Sequence, residues 1–215
     1  QNLENVQEAL NTTSVWIEKN QNKLTWAVTI VVALVVGALA LNTYVIKPKA
    51  VEVNDENAKA VAYFMQGDWE KALNGDDAEC IGFQTIADEY KCFQSGKLAA
   101  LYAGVCYYQM GQFEDAVEYL DKFSADDLTI EPAALQLLGD AYVQMEDFAK
   151  AVKAFEAAAK SGNELIAPMS LKKAGLVYLE LGDKAAAKKA FETIKTDYPA
   201  STEAQNIEAY IAIAE

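Results

Sequence analysis

Three cysteines, two Asp–Asp pairs and a set of tyrosines are the side chains of this 215-residue chain that could do chemistry. Histidine is absent, which removes the commonest general base and metal ligand. The sequence holds neither a glycine-rich phosphate loop nor a Gly-x-Ser-x-Gly elbow. Cys80 and Cys92 flank one short segment and could join in an oxidising compartment, although an odd cysteine count argues against a disulfide framework. Cys106 falls inside a helical pattern, where a thiol packs as a small apolar side chain. The pairs Asp76–Asp77 and Asp126–Asp127 sit in expected loops, as helix caps or solvated turns, without the alternating oxygen ligands of a calcium loop. The expectation is no catalytic residue, no metal, no cofactor and no enzyme. What remains is recognition, for which tyrosine supplies large contact area with few torsions to freeze.

The elements that would position these side chains repeat. One unit runs Gly104, Tyr107, Gly111, Phe113, Ala116, Leu120; a second runs Gly139, Tyr142, Phe148, Ala151, Phe155, Ala158. A third runs Gly175, Tyr178, Gly182, Ala187, Phe191, Ile194, Pro199. The leading glycines are 35 and then 36 residues apart, a helix-turn-helix solenoid period. The glycine in each first helix (helix A) lets the second (helix B) approach, and Ala116, Ala151 and Ala187 are expected to face it. Leu120, Phe155 and Phe191 are expected to pack onto the next unit. Gly111 and Gly182 end their A helices in the left-handed conformation; Glu146 stands there in the second unit, which predicts a differently built turn. A degenerate first unit, 59–96, matches at Tyr63, Gly67, Trp69 and Ala72, breaks at Asn74-Gly75-Asp76-Asp77 and resumes at Phe83, Ile86 and Tyr90. Residues 97–200 hold the three clear units. In 201–215, Ser201 and Thr202 can cap a final helix whose Ala204, Ile207 and Ile211 would cover the last unit.

These units resemble the tetratricopeptide repeat, although Ala100, Leu135 and Leu171 replace its early helix A aromatic. The resemblance implies an inner wall built by helix A positions. By register these are Leu101, Val105 and Tyr108, then Gln136, Asp140 and Val143, then Lys172, Leu176 and Leu179. With Lys172 the lone cation and no arginine in the chain, a carboxylate clamp is excluded. An apolar, tyrosine-bearing groove suits an amphipathic helix or extended segment of another chain.

The first 50 residues differ in kind. Leu24 to Ile46 is a run of 23 residues without charge, roughly 35 Å as helix, enough to cross a bilayer. Trp26 and Tyr44 stand near its ends as expected interfacial anchors. A cleavable signal peptide, with Ala38-Leu39-Ala40 as its cleavage site, is the competing reading. Before the span, Leu3, Val6, Leu10 and Ile17 predict an amphipathic helix over 1–23; after it, 47–58 reads as a linker. Two lysines flank each side, so charge does not orient the span. The formal charge is −14, and residues 51–215 alone carry 29 acids against 14 lysines, which excludes nucleic acid as a partner.

An amphipathic start, one span and about four hairpins with a C-terminal capping helix make an all-α chain. In that order the parts resemble the YfgM-like family of ancillary SecYEG translocon subunits, with the Asn-Gly-Asp insertion closer to Bacteroidetes-type versions. The resemblance implies a single-pass inner-membrane protein with a cytoplasmic N-terminus and periplasmic repeats. It also implies SecYEG, a PpiD-type periplasmic chaperone and emerging secreted chains as partners. A membrane-tethered scaffold of another envelope assembly or secretion complex is the alternative.

Overall fold

The computed structural model describes residues 2–76, 80–125 and 127–215, with side chains from Trp16 onward except Ile17. The side chains of Leu3, Val6, Leu10 and Ile17, and residues Asp77 and Asp126, lie outside the described residues. The chain is all-helical in class and divides into two compact units, 1–51 and 52–215.

In the first unit α1 runs Asn2–Leu41 and opens into a π-helical turn, Asn42–Ile46, before α2, Lys47–Met65. The turn has a cause four residues downstream. Pro48 has no amide to give to Tyr44, and its ring would clash with that carbonyl in a regular helix. Widening the turn, so that the Lys47 amide bonds to Asn42 five residues back, keeps the helix going. From Val28 to Leu41 the large apolar side chains are more than half exposed on every face. A helix apolar on every face is of the kind that a membrane span or a packed core requires. The hydroxyls of Thr25 and Thr29 donate to Gln21 and Thr25 carbonyls four residues back, both at 2.8 Å, so neither needs water. The helical segment 18–65 thus contains one stretch long and apolar enough to cross a membrane, none of it buried. Residues 47–58, read from sequence as a linker, lie within α2.

The second unit is a row of antiparallel hairpins. The last part of α2 pairs with α3 (Trp69–Asn74) and α4 (Gly82–Glu89), which together make one interrupted B helix. Then come α5 (Gln94–Gln109) with α6 (Phe113–Lys122), α7 (Ile130–Gln144) with α8 (Phe148–Ala159), and α9 (Ile166–Glu180) with α10 (Lys184–Asp197). A 3-10 turn, Glu203–Asn206, leads into α11, Ile207–Ile213, and Ser201 caps the turn by accepting from the Ala204 amide at 3.2 Å.

Four hairpin turns share one construction. Gly67, Gly111, Glu146 and Gly182 have φ of 77, 75, 60 and 74°. In each, the left-handed residue donates three residues back, and the next residue donates to the repeat tyrosine at Tyr63, Tyr107, Tyr142 or Tyr178. The expected difference at Glu146 is therefore absent: the turn's hydrogen bonds hold a glutamate in a conformation that glycine adopts at lower cost. Asp68, Asp147 and Asp183 follow the turn and cap the next helix through Lys71, Lys150 and Ala186 amides; Gln112 makes no such cap.

The glycine contacts also depart from expectation. A Cβ on Gly104 would meet Leu120 at 2.6 Å, on Gly139 the Phe155 ring at 2.5 Å, and on Gly175 the Phe191 ring at 2.3 Å. The large side chain one turn beyond the alanine, rather than Ala116, Ala151 or Ala187, sits over the glycine, because those alanines are one helical turn too early. Each large side chain still reaches its C-terminal neighbour. Leu120 clusters with Leu138, Phe155 with Ala174 and Val177, and Phe191 with Ile207 and Ile211. Phe155 and Phe191 are essentially fully buried, a transfer that stabilises by ~1.5–3 kcal/mol each.

Candidate partner-binding groove

The backbones of α5 and α7 come close, as do those of α7 and α9, while those of α6, α8 and α10 do not approach one another. The A helices therefore line the inner side of the row. Each A helix has its own B helix, the preceding B helix and its A neighbours against it, so one stripe stays open. On α5 that stripe is Leu98, Val105 and Gln109, half-buried or exposed, with Tyr102 in register but its ring stacked on Phe83 of the preceding repeat. The repeat spacing carries it to Ala133, Asp140 and Gln144 on α7, with Leu137 in register but packed against Leu120 and Leu138, and to Met169, Lys173, Leu176 and Glu180 on α9. The 44-residue step from Gly67 to Gly111 extends it back to Asn54, Ala58, Val61 and Met65 on α2, where Met65 is 79% exposed.

Of the nine positions expected from sequence, the structure places Val105, Asp140 and Leu176 on the open stripe. The other six are buried or pack against neighbouring side chains. Leu101 joins the cluster of Leu120 and Leu138, Val143 that of Phe155, and Leu179 that of Phe191. Gln136 is buried. Lys172 sits over the Tyr210 ring of α11, 4.8 Å from its centre. Tyr108 packs edge-on against Phe113, and burial, then the Asp140 charge, push its phenol up.

The missed residue is Lys173. Its ammonium donates to both Asp140 oxygens, at 2.6 and 2.9 Å, and ties α7 to α9 across the stripe. Both side chains keep about a third of their surface open, 32 and 27%. A charged residue one place beyond Lys172 was readable, but which of two adjacent lysines faced the open side depended on where α11 docks. The stripe as built is apolar at its N-terminal end (Met65, Val61, Leu98, Val105) and polar toward Gln144, Lys173 and Glu180.

The remaining chemical candidates are quiet. Cys80, Cys92 and Cys106 are free, the first and last buried and Cys92 exposed. Burial pushes the Cys106 thiol up to about 12, far from a thiolate at neutral pH. Asp76 forms an antiparallel bridge with Cys80 and accepts from the Tyr63 hydroxyl. Asp127 accepts from the Thr129 and Ile130 amides at the start of α7, and those backbone bonds, Thr129's first, hold its carboxyl below the usual range. No group of three or more metal-binding side chains occurs among the described residues. Trp26 and Tyr44 are 69 and 80% exposed on the apolar helix of the first unit.

A tetratricopeptide-repeat family model matches residues 137–202, and a second matches 98–126. Among solved structures the chain is similar to MamA at 22% identity and TM-score 0.50, over 72% of this chain and 91% of that one. It is also similar to MamA of AMB-1 at 18% identity and TM-score 0.54, over 76 and 81% of the two chains. A putative kinesin light chain with nearly identical TPR-like repeats, from Podosopora anserina, matches at 17% and 0.55, over 77 and 86%. At such identities the likeness is one of fold. No curated protein matches the chain in sequence. Residues 98–126 and 137–202 thus match tetratricopeptide repeats, and the second unit has the fold of a tetratricopeptide-like solenoid, which presents surfaces for other proteins.

Proposed function

We propose that the chain is a membrane-anchored interaction module whose open A-helix stripe takes a segment of another protein, as an ancillary subunit of the SecYEG translocon. Its single-pass anchor would lie in a bacterial inner membrane with the N-terminus cytoplasmic and the repeats periplasmic. A PpiD-type chaperone or an emerging secreted chain would occupy the groove. The observation that carries the interaction reading is the row Val61, Val105, Asp140 and Leu176, at equivalent positions on four successive A helices, apolar at three of the four, with Leu176 exposed and the others half-buried. An amphipathic segment laid across that row would bury its apolar side on Val105 and Leu176 and meet the Asp140–Lys173 pair between them. Anchoring is supported by the uncharged 23-residue run and by a helix surface apolar on every side.

The test is purification of the tagged full-length protein from native membranes in gentle detergent, with every co-purifying chain identified. Translocon subunits in near-equal amounts are the expected result, lost in Val105→Asp/Leu176→Asp while helicity is retained. Recovery of an envelope assembly complex without the translocon would overturn the reading in favour of a scaffold. Cys92 is an exposed native thiol. A thiol reagent unable to cross the inner membrane should label it in permeabilised-envelope cells, and labelling only after lysis would reverse the topology.

A further inference from the structure

A second site lies off the groove, on another face of α5. A pocket of about 470 Å³ opens between the end of α4, the start of α5 and the end of α6. Its floor is small and apolar, from Ala87, Gly96 and Ala100, all buried. Its rim carries Lys91, Lys97 and Lys122 with a single acid, Asp88. That acid is already engaged, accepting from the Tyr119 hydroxyl at 2.7 Å and from Lys122 at 3.0 Å. Lys122 also reaches Glu118 at 3.0 Å and lies 3.7 Å above the Tyr119 ring, so its charge is largely spoken for.

Lys91 and Lys97 are less engaged, although the Lys91 charge acts on the Asp88 carboxylate. Neither makes an ion pair among the described residues. Seven of the fourteen lysines of the second unit sit on a carboxylate among the described residues, and Lys91 and Lys97 are two of the seven that do not, brought together at one pocket. Three ammonium groups around one carboxylate make this concavity a local reversal of sign in a chain of formal charge −14. The repulsion of distant carboxylates is screened beyond ~8 Å at physiological salt. Ammonium groups recognise phosphate as point charges, without the planar matching that arginine gives. Two of them match the double charge of a phosphate monoester, and small floor residues leave room for its substituent.

We propose that this pocket binds a phosphate-type dianion, with Lys91 and Lys97 as the charges that hold it. The dianion is either free in solution or the headgroup of a lipid.

The test uses the full chain in phosphatidylcholine nanodiscs, with lysines carrying ¹³C-methyl groups that preserve their charge. One arm titrates inorganic phosphate against chloride at matched ionic strength. The other replaces about a tenth of the lipid with phosphatidic acid and adds no phosphate. Saturable shifts confined to Lys91 and Lys97 are expected in one arm, and the arm identifies the source. Lys97→Gln should weaken the response at Lys91 at least about tenfold, and Lys97→Arg should restore most of it. No saturable shift in either arm, or an unchanged response in Lys97→Gln with helicity intact, would overturn the proposal. Shifts at many lysines at once would do the same, as nonspecific screening.

Discussion

Glu146 shows how far residue type and conformation can part. The turn at 146 makes the same two hydrogen bonds as the turns at Gly67, Gly111 and Gly182, yet with a side chain that disfavours positive φ. That choice costs about 1 kcal/mol. Glu146→Gly should raise stability by up to that amount, read as a shift of the urea midpoint at unchanged slope; no shift would mean that the glutamate is held by contacts not yet counted. Sequence reading located all four turns through tyrosine and alanine spacing. It could not see that the second was built like the others, because a glutamate carries no mark of the conformation it is forced into. The same blindness rotated the groove. Positions 101, 105 and 108 and positions 98, 102, 105 and 109 are both helical stripes, and only the neighbours' packing says which is open.

At the scale of elements, α11 covers the apolar side of the hairpin formed by α9 and α10. Phe191 and Ile194 are fully buried, and Ile207 and Ile211 lie over them. Removing both isoleucine side chains opens a cavity against α10, at ~2–5 kcal/mol for each Ile→Ala. In a solenoid that loss stays local. Ile207→Ala/Ile211→Ala should speed amide exchange in α9 and α10 while α5 and α6 keep their protection. Uniform acceleration would show a single cooperative unit instead. The capping helix was legible because Ser201, Ile207 and Ile211 keep cap and stripe spacing. Its 3-10 entry was not, since a four-residue turn has no periodicity to read.

Across the whole molecule, buried phenols link stability to pH. Burial and then the Asp88 hydrogen bond push Tyr119 up to about 12, and burial and then the Glu156 bond do the same for Tyr178. A tyrosine of the unfolded chain titrates near ~10. The folded state therefore holds these protons longer, and the stability they contribute, complete below about pH 10, is lost as pH rises toward 12. Thermal melts should fall through that window. Tyr119→Phe/Tyr178→Phe should flatten the fall, and an unchanged slope would remove the tyrosines as its cause.

Contacts that pass only between successive hairpins also make the second unit a structure loaded in series. Pulled at Glu215 against a fixed N-terminus, the described residues offer no long-range tie to share the force. The row would come apart one hairpin at a time from whichever end is weaker, each of about 35 residues releasing roughly 120 Å of contour. Extension under tension would rise in steps.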